Sequence, residues 1–220
     1  MALDQTKPRK SKPTSGSLAR LSIREEQKQR TRDRLLDAAF EVFSEVGFRA
    51  ATIDQIMKRA GANRATFYLH FTDKLDIAAG IGRRSSMAVS DRFRQLDRME
   101  SPTCAEVRAW LESDFNHRSV DKVMVNIIHE ASSADPRFGQ EYMDYFVRVA
   151  ERVMVNTVSR WPEEQRPMAR MRIVCLFTML HRVEFHLLCQ ELDFGSYDPL
   201  GAIAELVWKE LFASAPGQQQ

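Results

Sequence analysis

Cysteine is scarce in this chain: Cys104, Cys175 and Cys189 are the only three, and none stands in a Cys-x-x-Cys pair. An odd, unpaired set makes a poor disulfide framework and suits a reducing, cytoplasmic setting. Glycine (9) and proline (8) are also few, and long stretches run without either. That favours helix over an all-β chain with frequent turns. No apolar run approaches the ~20 residues of a membrane span. The longest, Ile173 to Leu180, has eight residues and includes Thr178. Residues 1–20 are basic, polar and proline-bearing, with no apolar signal core. No useful stretch of strand-like alternation and no internal repeat occur. A metal carboxylate oxidase in a helical bundle would need Glu-x-x-His pairs on two helices. The chain has none: His181…Glu184 runs in the reverse order, and His186…Cys189 has no matching pair.

What is present is charge of uneven distribution. Residues 1–99 carry 20 Lys/Arg against 12 Asp/Glu, and residues 100–220 carry 12 against 18. A basic front and an acidic back suggest one end that faces a polyanion. Residues 1–22, rich in Lys, Arg, Ser and Pro, read as a disordered basic arm. A helix from about 24 to 46 follows, with Leu35, Ala39, Val42, Phe43 and Val46 on one stripe and Gly47 as its left-handed stop. Thr52 and Gln55 form a capping box that opens a second helix, which Gly61 ends. Asn63 caps a third, short helix from Arg64 to about His70, with Ala62 and Phe67 at the positions of a hydrophobic staple. Thr72 or Asp73 caps the next, which begins at Lys74. Further helices are expected at about 74–98, 103–118, 120–133, 136–160, 164–193 and 199–213, divided by Pro102, Asp135-Pro136, Trp161-Pro162 and the stretch from Gly195 to Pro199. Residues 23–73 are thus expected to form one domain, 74–214 a second, and 215–220 a disordered tail. The fold class is all-α.

Two short helices joined by a glycine-containing turn and packed on a longer first helix make a helix-turn-helix. Its second helix enters the DNA major groove with its first residues nearest the base edges. Those residues here are Asn63, Arg64 and Ala65. The Arg64 fork matches guanine O6 and N7, and Ala65 allows a close approach and offers a methyl to thymine. Thr52, Thr66, Tyr68, His70 and Lys74 carry groups suited to phosphates.

The run Ala60-Gly61-Ala62-Asn63-Arg64-Ala65-Thr66-Phe67-Tyr68-Leu69-His70-Phe71, followed by Lys74, resembles the signature of the TetR family of transcription regulators. So do Thr31–Leu35, Ala38-Ala39, Phe43, Gly47-Phe48, Thr52-Ile53 and Ile56 upstream. The resemblance covers about residues 28–76. It implies that Tyr68, His70 and Lys74 hold phosphates, that the helix capped by Thr52 meets the DNA backbone, and that Asn63, Arg64 and Ala65 select bases. Ala62 stands where Val is commoner, Leu69 where Arg or Trp often stands, and Ala65 where Gly or Pro is frequent.

The resemblance further implies that the C-terminal helical domain dimerises and binds a small-molecule effector. Within it, the helix at 164–193 is apolar almost all round and so buried on several sides. The last helix carries Ile203, Leu206, Val207 and Leu211 on one stripe. Paired across a two-fold axis, these helices would form a four-helix bundle. The expected interface is Cys175, Met179, Ile203, Leu206, Val207 and Leu211. Candidate pocket residues are Trp110, Phe115, Met124, Ile128, Tyr142, Phe146, Phe177, His181 and Phe185, with His117, His129 and His186 as further polar groups. Gly80 and Gly82, inside the helix after the DNA module, would permit a hinge. The expected function is a cytoplasmic, nucleoid-associated regulator: a homodimeric repressor bound to a palindromic operator and released by a ligand. No catalytic residue, metal or cofactor is expected. A ligand-independent DNA-binding or interaction protein, and a helical-bundle enzyme, are the alternatives.

Overall fold

The computed structural model describes residues 15–120 and 122–213, with side chains for 23–116 and 122–213. Residues 1–14 and 214–220, and the side chain of His117, lie outside the described residues. Among the described residues all regular structure is helical. None of the helices is long and apolar enough to cross a membrane.

Helix α1 spans Ser15–Ala50 and so begins inside the stretch expected to be an arm. Gly47 interrupts it at φ 78°, ψ 159°. The positive φ was foreseeable; the ψ is extended, so the chain kinks there and turns one more time instead of stopping. Helix α2 spans Ile53–Ala60 and α3 spans Arg64–Tyr68. Both caps are as the sequence predicts. Thr52 and Gln55 satisfy each other's backbone N–H groups, Asn63 accepts from the Thr66 N–H, and Gly61 closes α2 in the left-handed region at φ 59°. Leu35, Ala39 and Phe43 of α1, Ile56 of α2, Phe67 of α3 and Phe71 fill one core. Arg59 of α2 adds ion pairs to Glu41 and Glu45 of α1, at 3.0 and 2.7 Å.

Helix α4, Lys74–Asp97, is continuous and capped by Asp73. Its first half packs into the core of the helix-turn-helix through Ile77, Ala78, Ala79 and Ile81; its second half packs through Phe93 and Leu96 into a separate C-terminal core. It is therefore a strut shared by two domains. At Gly80 close packing supplies a reason for the glycine that needs no hinge. A Cβ there would lie 2.9 Å from Leu36 Cδ2 and 3.1 Å from Phe71 Cε1, so the glycine lets α4 press against α1 and the helix-turn-helix. Gly82 faces open space.

The remaining elements are α5 (Cys104–Val120), α6 (Lys122–Ala134), α7 (Pro136–Arg152), α8 (Val155–Ser159), α9 (Arg166–Leu188) and α10 (Pro199–Trp208), which continues as a π turn at Lys209–Ala213. The single helix expected over 136–160 breaks at Val153-Met154. The reason lies far upstream: the buried Asp97 carboxylate accepts from the N–H groups of Asn156, 59 residues on, and Thr157, at 3.1 and 2.8 Å, and starts α8 afresh. The helix expected to reach 193 ends at Leu188, and Glu191 then turns the chain at a φ of 50°. Helix α6 belongs with the helix-turn-helix as much as with its own domain, because Ile127 and Ala131 are buried in the N-terminal core.

Candidate nucleic-acid interface

The exposed face of α3 presents Arg64, Ala65, Tyr68 and Leu69. Arg64 is held only loosely, 3.7 Å from the Asp54 carboxylate, with its guanidinium 5.8 Å from the centre of the Tyr68 ring. Phe67 on the opposite side is fully buried and anchors the helix. A five-residue helix has little stability of its own. This one is fixed by its Asn63 cap and by Phe67, so its outer face is presented rigidly.

The hydrogen bonds separate the eight candidate DNA-contact residues into two sets. The Asn63 Oδ1 accepts from both the Thr66 N–H and the Thr66 hydroxyl, at 2.8 and 3.0 Å. That leaves only the Asn63 amide N–H groups for a base and commits the Thr66 proton to the cap. The Thr52 hydroxyl likewise donates to Gln55 Oε1 while accepting from the Gln55 N–H. Lys74 departs furthest from expectation. Its ammonium donates to the carbonyls of Phe48, Arg49 and Ala51 at 2.7, 3.0 and 2.8 Å and lies over the Phe48 ring. An ammonium has three N–H donors, and all three are in use. Lys74 therefore clamps the end of α1, and Thr52 and Thr66 serve the helix caps, because phosphate contacts would need the same protons. Burial pushes the Lys74 pKa down, and Glu130 pulls it partly back.

Glu130 of α6 closes the same clamp from the other domain. It accepts from the Arg49 N–H at 2.9 Å and from the Asn126 amide at 3.0 Å. The turn that delivers Thr52 to the head of α2 is thus held by α4 and α6 together. Tyr68 is exposed. His70 is half-buried; burial, then Lys28 and Arg32 of α1, hold its pKa below the usual histidine value. Lys28 and Arg32 were not foreseen as neighbours of His70; the Arg32 guanidinium lies 4.5 Å over the ring of the buried Phe71. Their spacing of four on one helix was visible, but their proximity to His70 was not.

A second feature lies between α4 and α7, with α6 behind: a cavity of about 700 Å3. Of the candidate pocket residues, Met124, Ile128, Tyr142 and Phe146 line it. Trp110 and Phe177 are buried in the C-terminal core, Phe115 and Phe185 form a small cluster with Val125, and none of these four reaches the cavity wall. His181 sits behind Tyr142, 5.0 Å from ring to ring. Of the expected interface residues, Ile203, Val207 and Leu211 are buried at 4, 0 and 2% exposure. They fill the chain's own core and have almost no surface left for a partner. Leu206, Cys175 and, in part, Met179 remain accessible, and Met168 and Met171 stand exposed on α9 beside them in sequence. The stripe rule could not tell which neighbour a helix's apolar side faces.

A helix-turn-helix with a rigidly presented reading helix, strutted to a second helical domain, defines the class of DNA-binding modules. Residues 35–81 match the family model described as bacterial regulatory proteins, tetR family, so the helix-turn-helix module is of that family. The HTH-type transcriptional regulator SrpR of Pseudomonas putida is 30% identical over 105 residues, which are 48% of this chain and 43% of SrpR. The first three curated relatives are matched over 43, 66 and 45% of their lengths, so the match spans only part of each of them. Solved structures extend the likeness of fold to more than four fifths of the chain. A TetR-family protein of Mesorhizobium loti superposes with a TM-score of 0.57 at 18% identity, covering 84% of this chain and 96% of that one. The regulator FadR of Bacillus subtilis, solved in complex with stearoyl-CoA, gives 0.51 at 17% identity, covering 82 and 97%.

Proposed function

We propose that this protein is a transcription repressor that binds a palindromic operator as a homodimer and leaves it when a small molecule occupies the cavity between α4 and α7. The observation that carries the reading is the outer face of α3, capped at Asn63 and pinned by Phe67, within the segment that matches the family model. Arg64, Ala65 and the Asn63 amide read bases. Tyr68 and His70, with Lys28 behind, hold phosphates. One such helix reads few base pairs; two, set one DNA turn apart, read a palindrome. The accessible apolar residues of α9 and α10 (Met168, Met171, Cys175 and Leu206) supply the contact with the second copy. Among the described residues no group of three or more His, Cys, Asp or Glu side chains is placed to hold a metal ion.

Release follows from the strut. Helix α4 lines the cavity with its middle and carries the Lys74 clamp at its start; α6 lines it with Met124 and Ile128 and carries Glu130 two residues further on. A ligand that binds best when α4 and α7 are apart shifts the reading helices away from operator spacing, by as much as its preference for that state. The FadR structure with stearoyl-CoA supports a small-molecule site in this fold. The test is a mobility shift with DNA flanking the gene for this chain, over a salt series, together with sedimentation of the free protein. A dimer whose affinity falls steeply with salt is expected. Salt-insensitive binding, or no binding to any palindrome in the genome, would refute the reading.

A further inference from the structure

The cavity joins two unlike ends. Near the DNA module its wall is Ala79, Met124, Ile128 and Phe138, all packed with the helix-turn-helix core. At the other end Val89, Val149 and Val153 border it, and the arginines gather there: Arg92, Arg94, Arg148 and Arg152. Across the whole wall five arginines stand against one carboxylate, Glu141. Three of the five are already paired: Arg83 with Asp76 and Glu141, Arg92 with Asp114, and Arg94 with Asp91. Arg148 and Arg152 have no acidic partner among the described residues, although Asp144 stands one turn before Arg148 and bonds Gln140 instead. They lie four apart on α7, so their guanidinium groups emerge on the same side of the helix.

Two unpaired guanidinium groups at one end of an apolar cavity are suited to an anion on an apolar body. Guanidinium is the side chain best matched to carboxylate and phosphate oxygens, and a largely apolar wall with a small number of polar groups, here Ser85, Ser86, Ser90 and the mutually paired Arg83 and Glu141 besides the other arginines, is the usual build of a small-molecule site of this volume. We propose that the effector is an amphipathic anion, whose carboxylate or phosphate head is held by Arg148 and Arg152 and whose apolar tail runs between α4 and α7 toward Phe138 and Ile128. The tail then lies against residues shared with the DNA-module core, while the head is bound roughly 20 Å away at the far end of α7. This rests on the reading of the cavity as the effector site. It adds the effector's charge, polarity and direction.

Direct calorimetry on the full chain tests it without DNA. The probes are dodecanoate and dodecyl phosphate as anions, dodecanol as the neutral form and dodecylammonium as the cation, all below their micelle concentrations. At least one anion is expected to bind tenfold or more tighter than dodecanol, with dodecylammonium weakest; which anion wins tells carboxylate from phosphate. The double variant R148Q/R152Q is expected to bind the anion no better than the alcohol and the alcohol as before, and R148K/R152K to recover part of the difference. Equal binding of anion and alcohol, tighter binding of the cation, or an anion preference that survives R148Q/R152Q would each overturn the proposal. A protein that binds the anion but never binds DNA would overturn the repressor reading alone.

Discussion

At the scale of single residues, hydrogen-bond accounting decides roles that residue type leaves open. Lys74 and Arg64 are both cations on the DNA-binding module, yet the Lys74 ammonium spends all three donors on backbone carbonyls while Arg64 is largely exposed. The two substitutions should therefore differ in kind. Arg64→Ala should leave the melting temperature unchanged, cost ~1–3 kcal/mol on the best operator and relax the preference at one base pair. Equal discrimination by wild type and variant in a binding-site selection would remove Arg64 from the reading edge. Lys74→Met should cost about 1.5–3 kcal/mol of stability, the worth of hydrogen bonds to a charged group. Its slope of log affinity against log salt should stay as in wild type. A phosphate-binding lysine would instead flatten that slope by about 0.9 and leave denaturant melts alone.

The caps of α2 and α3 are local, three residues apart in sequence, and the pattern Thr52-x-x-Gln55 and the Asn63 cap state them outright. Element ends whose partners are distant are different. The break in α7 depends on Asp97, and the stop of α1 depends on Lys74 and Glu130, 23 or more residues away. Nothing in the local sequence at Val153-Met154 announces the break. The two glycines of α4 show the same division. Alanine is preferred to glycine in a helix by ~1 kcal/mol, so propensity alone predicts that both Gly80→Ala and Gly82→Ala stabilise. Packing predicts opposite signs. Gly82→Ala, with nothing within 4 Å, should gain ~0.5–1 kcal/mol in urea unfolding. Gly80→Ala should lose ~1–3 kcal/mol, because the new methyl meets Leu36 and Phe71 in a filled core. Stabilisation by Gly80→Ala would show that α4 can move off α1 freely, and the hinge would return.

For the molecule as a whole, stability should depend on pH through histidines that the fold keeps neutral. Burial, with Lys28 and Arg32, lowers the pKa of His70; burial, with Arg182, His181 and His186, lowers that of His129. Each is thus a site that the unfolded chain protonates more readily than the folded one. Stability is complete above the ordinary histidine value near 6.5 and falls as pH drops below it. Chemical melts between pH 7.5 and 5.5 should show this decline, and the double variant His70→Gln, His129→Gln should flatten it. A decline unaltered in that variant would assign it to other groups. Operator binding should oppose the trend, because phosphate beside His70 favours its charged form.

The sequence by itself determined the all-helical class, most helix boundaries, both caps of the helix-turn-helix and the face that its second helix leaves exposed. These follow from periodicity, from capping within four residues and from a motif contained in one short segment. Only the tertiary structure decided what Lys74, Thr52 and Thr66 do with their protons, that Ile203, Val207 and Leu211 belong to the chain's own core, and that Arg148 and Arg152 meet an apolar cavity. Each of those depends on which distant element packs against a side chain, and an amphipathic stripe records only that something does.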